Sequence, residues 1–191
     1  MRKCRFCKTE IPPKKLSDKW QAAGFCSLDH MAEYGKQKAL EQRERQQRKV
    51  IKEKKEKLKT KSDKLRELQT IVNQYVRLRD QGLPCISCGK LDNGTHQRHA
   101  SHYRSVGSNS FLRFNTHNIH ASCAQCNTYK SGAIGDYRIG LIQRYGVHIP
   151  EMLETAPRVR TYTDEWIERA KKIFRRKIRL YKRLRHLQEL L

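Results

Sequence analysis

Two sets of four metal-type ligands frame this chain, and they restrict its possible folds more than any apolar run does. Cys4, Cys7, Cys26 and His30 make the first set, and Cys85, Cys88, Cys123 and Cys126 the second. A Cys-x-x-Cys pair brings two thiolates of one tight turn to the same ion, while Cys26 and His30, four apart, share one face of a helical turn. Four such ligands complete a tetrahedral shell with no open position, so each set reads as a structural zinc site rather than a catalytic one. The alternative for either set is unligated thiols. All seven Cys are used in this way, which leaves none as a catalytic nucleophile. Seven is also an odd number, which a fully disulfide-paired monomer cannot accommodate. The opening MRKCRFCKTE lacks the apolar run of a secretory signal, and no stretch approaches the roughly 18 apolar residues of a membrane span. The chain therefore reads as cytoplasmic and off the membrane, where paired Cys serve metals more often than disulfides.

Charge identifies the class of partner. The 191 residues carry a net +23, and the sequence pI is near 10.1, which points to a polyanion, nucleic acid first. With 32% charged residues, a large core is excluded, because too little apolar surface remains to offset chain entropy. Four segments divide this charge. Residues 1–35, an N-terminal zinc finger with Pro12 and Pro13 in its gap, carry +3, and residues 36–80, a basic helical segment, carry +9. Residues 81–157, holding the second Cys set, carry +3, and residues 158–191, a C-terminal basic amphipathic helix, carry +8.

Periodicity supports both basic segments as helices. Residues 36–64 read as a solvated helix with pairs such as Glu53–Lys57, or as a charged linker. From Leu65 onward, Leu68, Val72, Tyr75 and Arg79 follow a helical seam with Ile71, Val76 and Leu78 beside it. The C-terminal segment opens on Thr163 as an N-cap and lines up Trp166, Ala170, Ile173, Phe174, Tyr181, Leu184 and Leu191. Its flanking Arg175, Arg176, Arg179, Lys182 and Arg183 are candidate phosphate contacts.

Between the halves of the second Cys set lie His96, His99, His102, His117 and His120, interleaved with Arg98, Arg104, Arg113, Tyr103, Phe111 and Phe114. A purely structural ribbon has no need of five His there, and imidazole suits general-base work near neutrality. Arg98, Arg104, Arg113 and Lys130 join the candidate phosphate contacts. His96, His117 and His120 read equally well as ordinary polar residues of a hairpin.

Two stretches then carry a resemblance. They are Ala100-Ser101-His102-Tyr103, and Asn118-Ile-His-Ala-Ser-Cys123-Ala-Gln-Cys126-Asn127-Thr-Tyr-Lys130. Together they look like an HNH nuclease motif, and essentially the whole chain resembles the lambdoid phage NinG (Rap) family of recombination endonucleases. The resemblance implies a small α+β fold. Its HNH-like ββα-metal core, of the treble-clef type, would be pinned by a Cys4 zinc, beside an N-terminal zinc finger and long basic helices. It implies a phage-encoded protein working in the bacterial cytoplasm on branched DNA such as Holliday junctions and D-loops.

Carried over by residue, the resemblance makes His102 the general base and Asn118 the residue that fixes the loop and orients it. Asn127 becomes a ligand of a catalytic magnesium or manganese ion. Many HNH enzymes place an Asp or His ligand just before the base, where this chain has Ser101. His99 or Asp136 are the substitutes, although His99 points to the opposite strand face from His102. A four-way junction has approximate two-fold symmetry, so a homodimer is inferred, with the apolar stripes of 65–78 or 166–191 as its interface. The competing readings are a non-catalytic zinc-containing DNA-binding accessory protein and an RNA binder. Protein partners are not legible.

Overall fold

The computed structural model describes residues 2–11, 19–91 and 97–188. Pro12, Pro13, His96 and Leu191 lie outside them. The chain forms two units, 1–59 and 60–191, so the division falls inside the 36–80 segment. Local chemistry explains the break. Thr60 accepts from the Asp63 N–H while Asp63 accepts from the Thr60 N–H, a reciprocal capping box that starts a new helix.

The first unit starts with a Cys4–Cys7 turn, closed by an isolated bridge between Lys3 and Glu10. It continues through the short α1 (Lys19–Ala22) into α2 (Leu28–Lys57). Helix α2 buries no residue along its 30 positions. Exposed pairs lie along it, Glu33–Lys36, Lys38–Glu41 and Glu44–Arg48 rather than Glu53–Lys57, and solvent screens each of them. Its N-terminus is better anchored: Ser27 caps His30 N–H, Phe25 is buried, and the rings of Phe25 and Tyr34 lie 5.3 Å apart.

In the second unit, α3 (Lys61–Arg79) packs on α6 (Asp164–Gln188) and on a two-stranded sheet. The two helices run parallel, since Lys64 pairs with Asp164 at their starts while Arg185 reaches the Leu78 carbonyl near their ends. Leu68, Val72, Tyr75 and Val76 of the expected α3 seam are all buried. Thr163 does cap α6, accepting from Trp166 N–H. The α6 stripe is rotated from the expected one: Ile167, Ala170, Phe174 and Ile178 are buried, while Ile173 and Leu184 are about half exposed. The rotation follows from α3 being the partner. The stripes offered as a dimer interface are largely spent on each other.

Strands β1 (Arg98–His102) and β2 (Ile119–Cys123) pair antiparallel, with Ser101 opposite His120 and His102 opposite Ile119. A π-helical turn follows at Gln125–Tyr129, then α4 (Ile134–Tyr145) and α5 (His148–Thr155). One sheet face meets the α3–α6 layer, and a second small core gathers Ile86, Tyr103, Leu112, Tyr137, Leu141, Ile149 and Leu153. Helix α4 lies so close to the 85–88 turn that a Cβ on Gly140 would sit 1.8 Å from the Ile86 carbonyl oxygen. The architecture is a helix-rich α+β one with two Cys-rich clusters.

Candidate functional site

Both ligand sets assemble. Within each, the ligand atoms of Cys4, Cys7, Cys26 and His30, or of the four later Cys, lie within 4.8 Å of one another. A tetrahedral thiolate site with Zn–S near 2.3 Å has a sulfur–sulfur edge of about 3.8 Å. The observed Cys88–Cys123 separation is 3.8 Å and Cys7–Cys26 is 3.5 Å, so the donor sets fit zinc. The two knuckles share one backbone pattern. Lys8 N–H donates to Cys4 O and Gly89 N–H to Cys85 O, both at 3.0 Å, and Cys4 and Cys85 each donate to the residue five positions on. That turn needs a positive φ just after its second Cys. Gly89 supplies it at 68°, and Lys8 adopts it at 64° despite its side chain.

Cys26 lies outside α2, just before the Ser27 cap, so it meets His30 through the N-terminal turn and not along a helix face; the Sγ–Nδ1 distance is 2.8 Å. One thiol in each set is prepared for ionisation. Burial opposes it, but backbone N–H groups of Cys7, Cys26 and Phe6 lower Cys4 to about 6. Those of Cys88, Cys123 and Ser87 likewise outweigh burial at Cys85 and lower it to about 7.

The later set pins the hairpin on which the other candidates sit. Asn118, fully buried, uses its whole amide: Oδ1 accepts from Arg104 N–H, and Nδ2 donates to the carbonyls of Arg104 and Leu112. It locks the 103–118 loop. That loop delivers the Arg113 carbonyl to His102 Nε2 at 3.0 Å. A carbonyl only accepts, so Nε2 carries the proton and Nδ1 keeps a lone pair. Burial lowers the His102 pKa, which the carbonyl bond only partly offsets, so the ring is neutral near pH 7.

Asn127 stands elsewhere. Its Nδ2 is 3.0 Å from His99 Nδ1 and its Oδ1 accepts from Ser101, which itself accepts from Ser122. The alternation of β1 puts His99 and Ser101 on one face and His102 on the other. His102 shares no hydrogen bond with Asn118 or Asn127 among the described residues. Asp136 is exposed in the first turn of α4, lining a groove beside 84–89. No third group of three or more His, Cys, Asp or Glu ligands gathers among the described residues.

His120, opposite Ser101, is fully buried and belongs to the core. Tyr137 donates to the Ser101 carbonyl, so it accepts from His120 Nδ1, and His120 Nε2 accepts from Tyr145. Burial, reinforced by Arg79, lowers its pKa to about 3. Below the ordinary value near 6.5 the unfolded chain binds a proton that the folded chain refuses down to about 3. Stability through this group is therefore complete above pH 6.5 and falls on acidification by about 1.4 kcal/mol per pH unit. Urea unfolding between pH 7 and 4 should show this extra loss in wild type and not in His120→Leu. Parallel losses in the two would rule His120 out.

The basic candidates separate by exposure. Arg175, Arg176, Arg179, Lys182, Arg183 and Lys130 are exposed. Arg98 braces the second knuckle, reaching the Leu83 and Lys90 carbonyls. Arg113 is half-buried, its Nε bonded to Gln69 and its guanidinium over the Phe114 ring, and Arg104 is half-buried too. Sequence reasoning missed the Arg79–Asp80 clamp. Arg79 chelates Asp80 and donates to the Thr116 and Ile119 carbonyls, while Asp80, almost fully buried, accepts from Ala121 N–H. Burial opposes the Asp80 charge, but Arg79 and that N–H outweigh it and hold the carboxyl below its usual range. An Arg-Asp pair closing an apolar helix seam was the available signal.

The family described as "Bacteriophage Lambda NinG protein" matches residues 1–184. The chain belongs to this family. Protein ninG of Escherichia phage 933W is 33% identical over 196 residues, covering 93% of this chain and 92% of that protein. The NinG proteins of Escherichia phage lambda and Salmonella phage P22 are 38% and 37% identical over 122 residues, each alignment covering 64% of this chain and 59% of the relative. No solved structure matches. Among the described residues no helix is long and apolar enough to cross a membrane.

Proposed function

We propose that this NinG-family chain is a divalent-metal-dependent endonuclease that cuts branched DNA, with 98–130 as an HNH-type ββα-metal core. The observation that carries it is His102, an imidazole fixed at the end of a hairpin tied by the four-Cys set, with Nδ1 unprotonated and its pKa lowered by burial. Nδ1 takes a proton from water, the water oxygen attacks phosphorus, and the bond to O3′ breaks; the O3′ oxyanion takes a proton from a second water, leaving a 5′-phosphate and a 3′-hydroxyl. Asn118 holds the loop whose carbonyl sets the tautomer. His99 Nδ1 and, with its amide turned so that Oδ1 replaces Nδ2 beside that nitrogen, Asn127 would hold the divalent ion, which when bound would supply positive charge for the phosphate and the leaving oxygen. Imidazole with amide oxygen and no carboxylate suits manganese or another transition ion better than magnesium.

The exposed α6 cations would grip phosphates without reading sequence, which suits a substrate defined by shape. Two copies on a two-fold junction would address both strands; with the α3 and α6 stripes spent inside the chain, their interface would use other surface. Zinc-loaded protein given a synthetic four-way junction with added manganese, with added magnesium or with no added ion tests the reading. It requires nicking with an added divalent ion and none without one. A second reading, a non-catalytic zinc-containing DNA binder, draws on the opposite placement of His102 and Asn127 across β1. Junction binding without cleavage under any metal would favour it.

A further inference from the structure

A groove of about 530 Å³ runs beside the first half of α6. The nearly buried Phe114 and Phe174 and the half-exposed Ile173 line it with Trp166, and Arg169 and Lys177 stand at its edges. Neither cation has a carboxylate partner among the described residues, although Lys171 of the same helix is paired with both Glu67 and Glu168. Trp166 packs against Tyr162 with ring centroids 4.6 Å apart and planes tilted by 43°, and the Arg160 guanidinium lies over both rings at 4.9 and 5.1 Å. Lys177 lies over the Tyr75 and Phe174 rings at 5.3 and 5.5 Å; an aromatic recess rimmed by cations that no carboxylate neutralises is a poor seat for a duplex, whose bases are stacked inside. It suits one base whose faces are free and whose flanking phosphates reach the cations.

We infer that this groove receives an unpaired nucleobase at the branch point of the DNA. The inference rests on the DNA-binding part of the proposed function. Arg169 and Lys177 are eight residues, about 12 Å, apart along α6, far enough to hold phosphates on either side of a seated base. Phe114 follows Arg113, whose carbonyl fixes His102. A base held there is thus one residue along the loop from the contact that sets the proposed general base, and it would register the cut against the unpaired nucleotide.

The test compares two forked DNA duplexes bound to zinc-loaded protein in calcium, without manganese or magnesium, one with an unpaired adenine at the branch and its twin abasic at that position. Wild type should bind the adenine fork about tenfold more tightly, in line with the stacking of one base. In a Trp20→Phe background the remaining Trp166 should be quenched by that fork alone. Ile173→Glu, on a half-exposed side chain, should bring the affinity ratio to about one and abolish the quenching. Arg169→Gln should weaken both forks alike. Equal affinity of wild type for the two forks overturns the inference, and so does a preference that survives Ile173→Glu. A dimeric wild type that Ile173→Glu makes monomeric would assign the groove to a second copy instead. Because no cleavage is read, the two proposals fail separately. Junction nicking without base preference removes only this one, and base preference without nicking removes only the nuclease.

Discussion

His102→Ala is expected to reduce junction nicking by about 10²–10⁴-fold, the usual contribution of a positioned general base, and to leave junction affinity within about twofold. The large effect follows from the tautomer: the Arg113 carbonyl binds the Nε2 proton, so Nδ1 is the nitrogen left with a lone pair to act as the proposed base, and alanine has none. The small effect on binding follows because the exposed α6 cations that would grip phosphates are separate from β1. A pH profile gives an independent check. The lowered pKa of His102 keeps the base neutral at pH 7, so wild-type nicking should be flat there and decline only as pH falls below the ordinary histidine value near 6.5. The residual activity of His102→Ala should lack that decline. Equal nicking by mutant and wild type would remove His102 from the chemistry.

Cys123→Ser is expected to lower bound zinc from about two ions per chain to about one and to abolish the cooperative unfolding of the second unit. Cys123 ends β2, and its backbone N–H also donates to Cys85 Sγ at 3.3 Å, so it ties the 85–88 turn to the hairpin twice. A structural zinc supplies on the order of 10–16 kcal/mol, against a net domain stability of about 5–15 kcal/mol. The ion therefore decides whether the hairpin persists. Cys7→Ser should also release one zinc and leave the melting of the second unit unchanged. Calorimetry with metal analysis reads both, and a second unit that still melts cooperatively in Cys123→Ser would show that helix packing alone sustains it.

How much could be read beforehand differs by element. The α3 seam of Leu68, Val72, Tyr75 and Val76 was legible because 3.6-residue periodicity is local, and the Thr163 cap for the same reason. The break at 58–60 was written in Thr60 and Asp63 but masked by the charge run around it. The α6 stripe was legible at Trp166, Ala170, Phe174 and Tyr181 but not at Ile173 and Leu184, in whose stead Ile167 and Ile178 are buried, because which apolar side chain is covered depends on where α3 lies. His120 and His99 are chemically identical in the sequence, yet one is sealed between Tyr137 and Tyr145 while the other faces Asn127.

By itself the sequence determined the two metal-ligand sets, the α3 seam, the start of α6 and the excess of positive charge, since ligand type, spacing and periodicity act over short range. Only the tertiary structure decided which side chains meet. Arg79 and Asp80 were recruited to β2, Arg98 to a knuckle, and Arg113 to Gln69, so they brace the fold as well as carrying charge. His102 received its tautomer from a carbonyl eleven residues away. Strand alternation then set it on the opposite face from Asn127, because side-chain direction and hydrogen-bond partner are properties of packed neighbours and not of residue type.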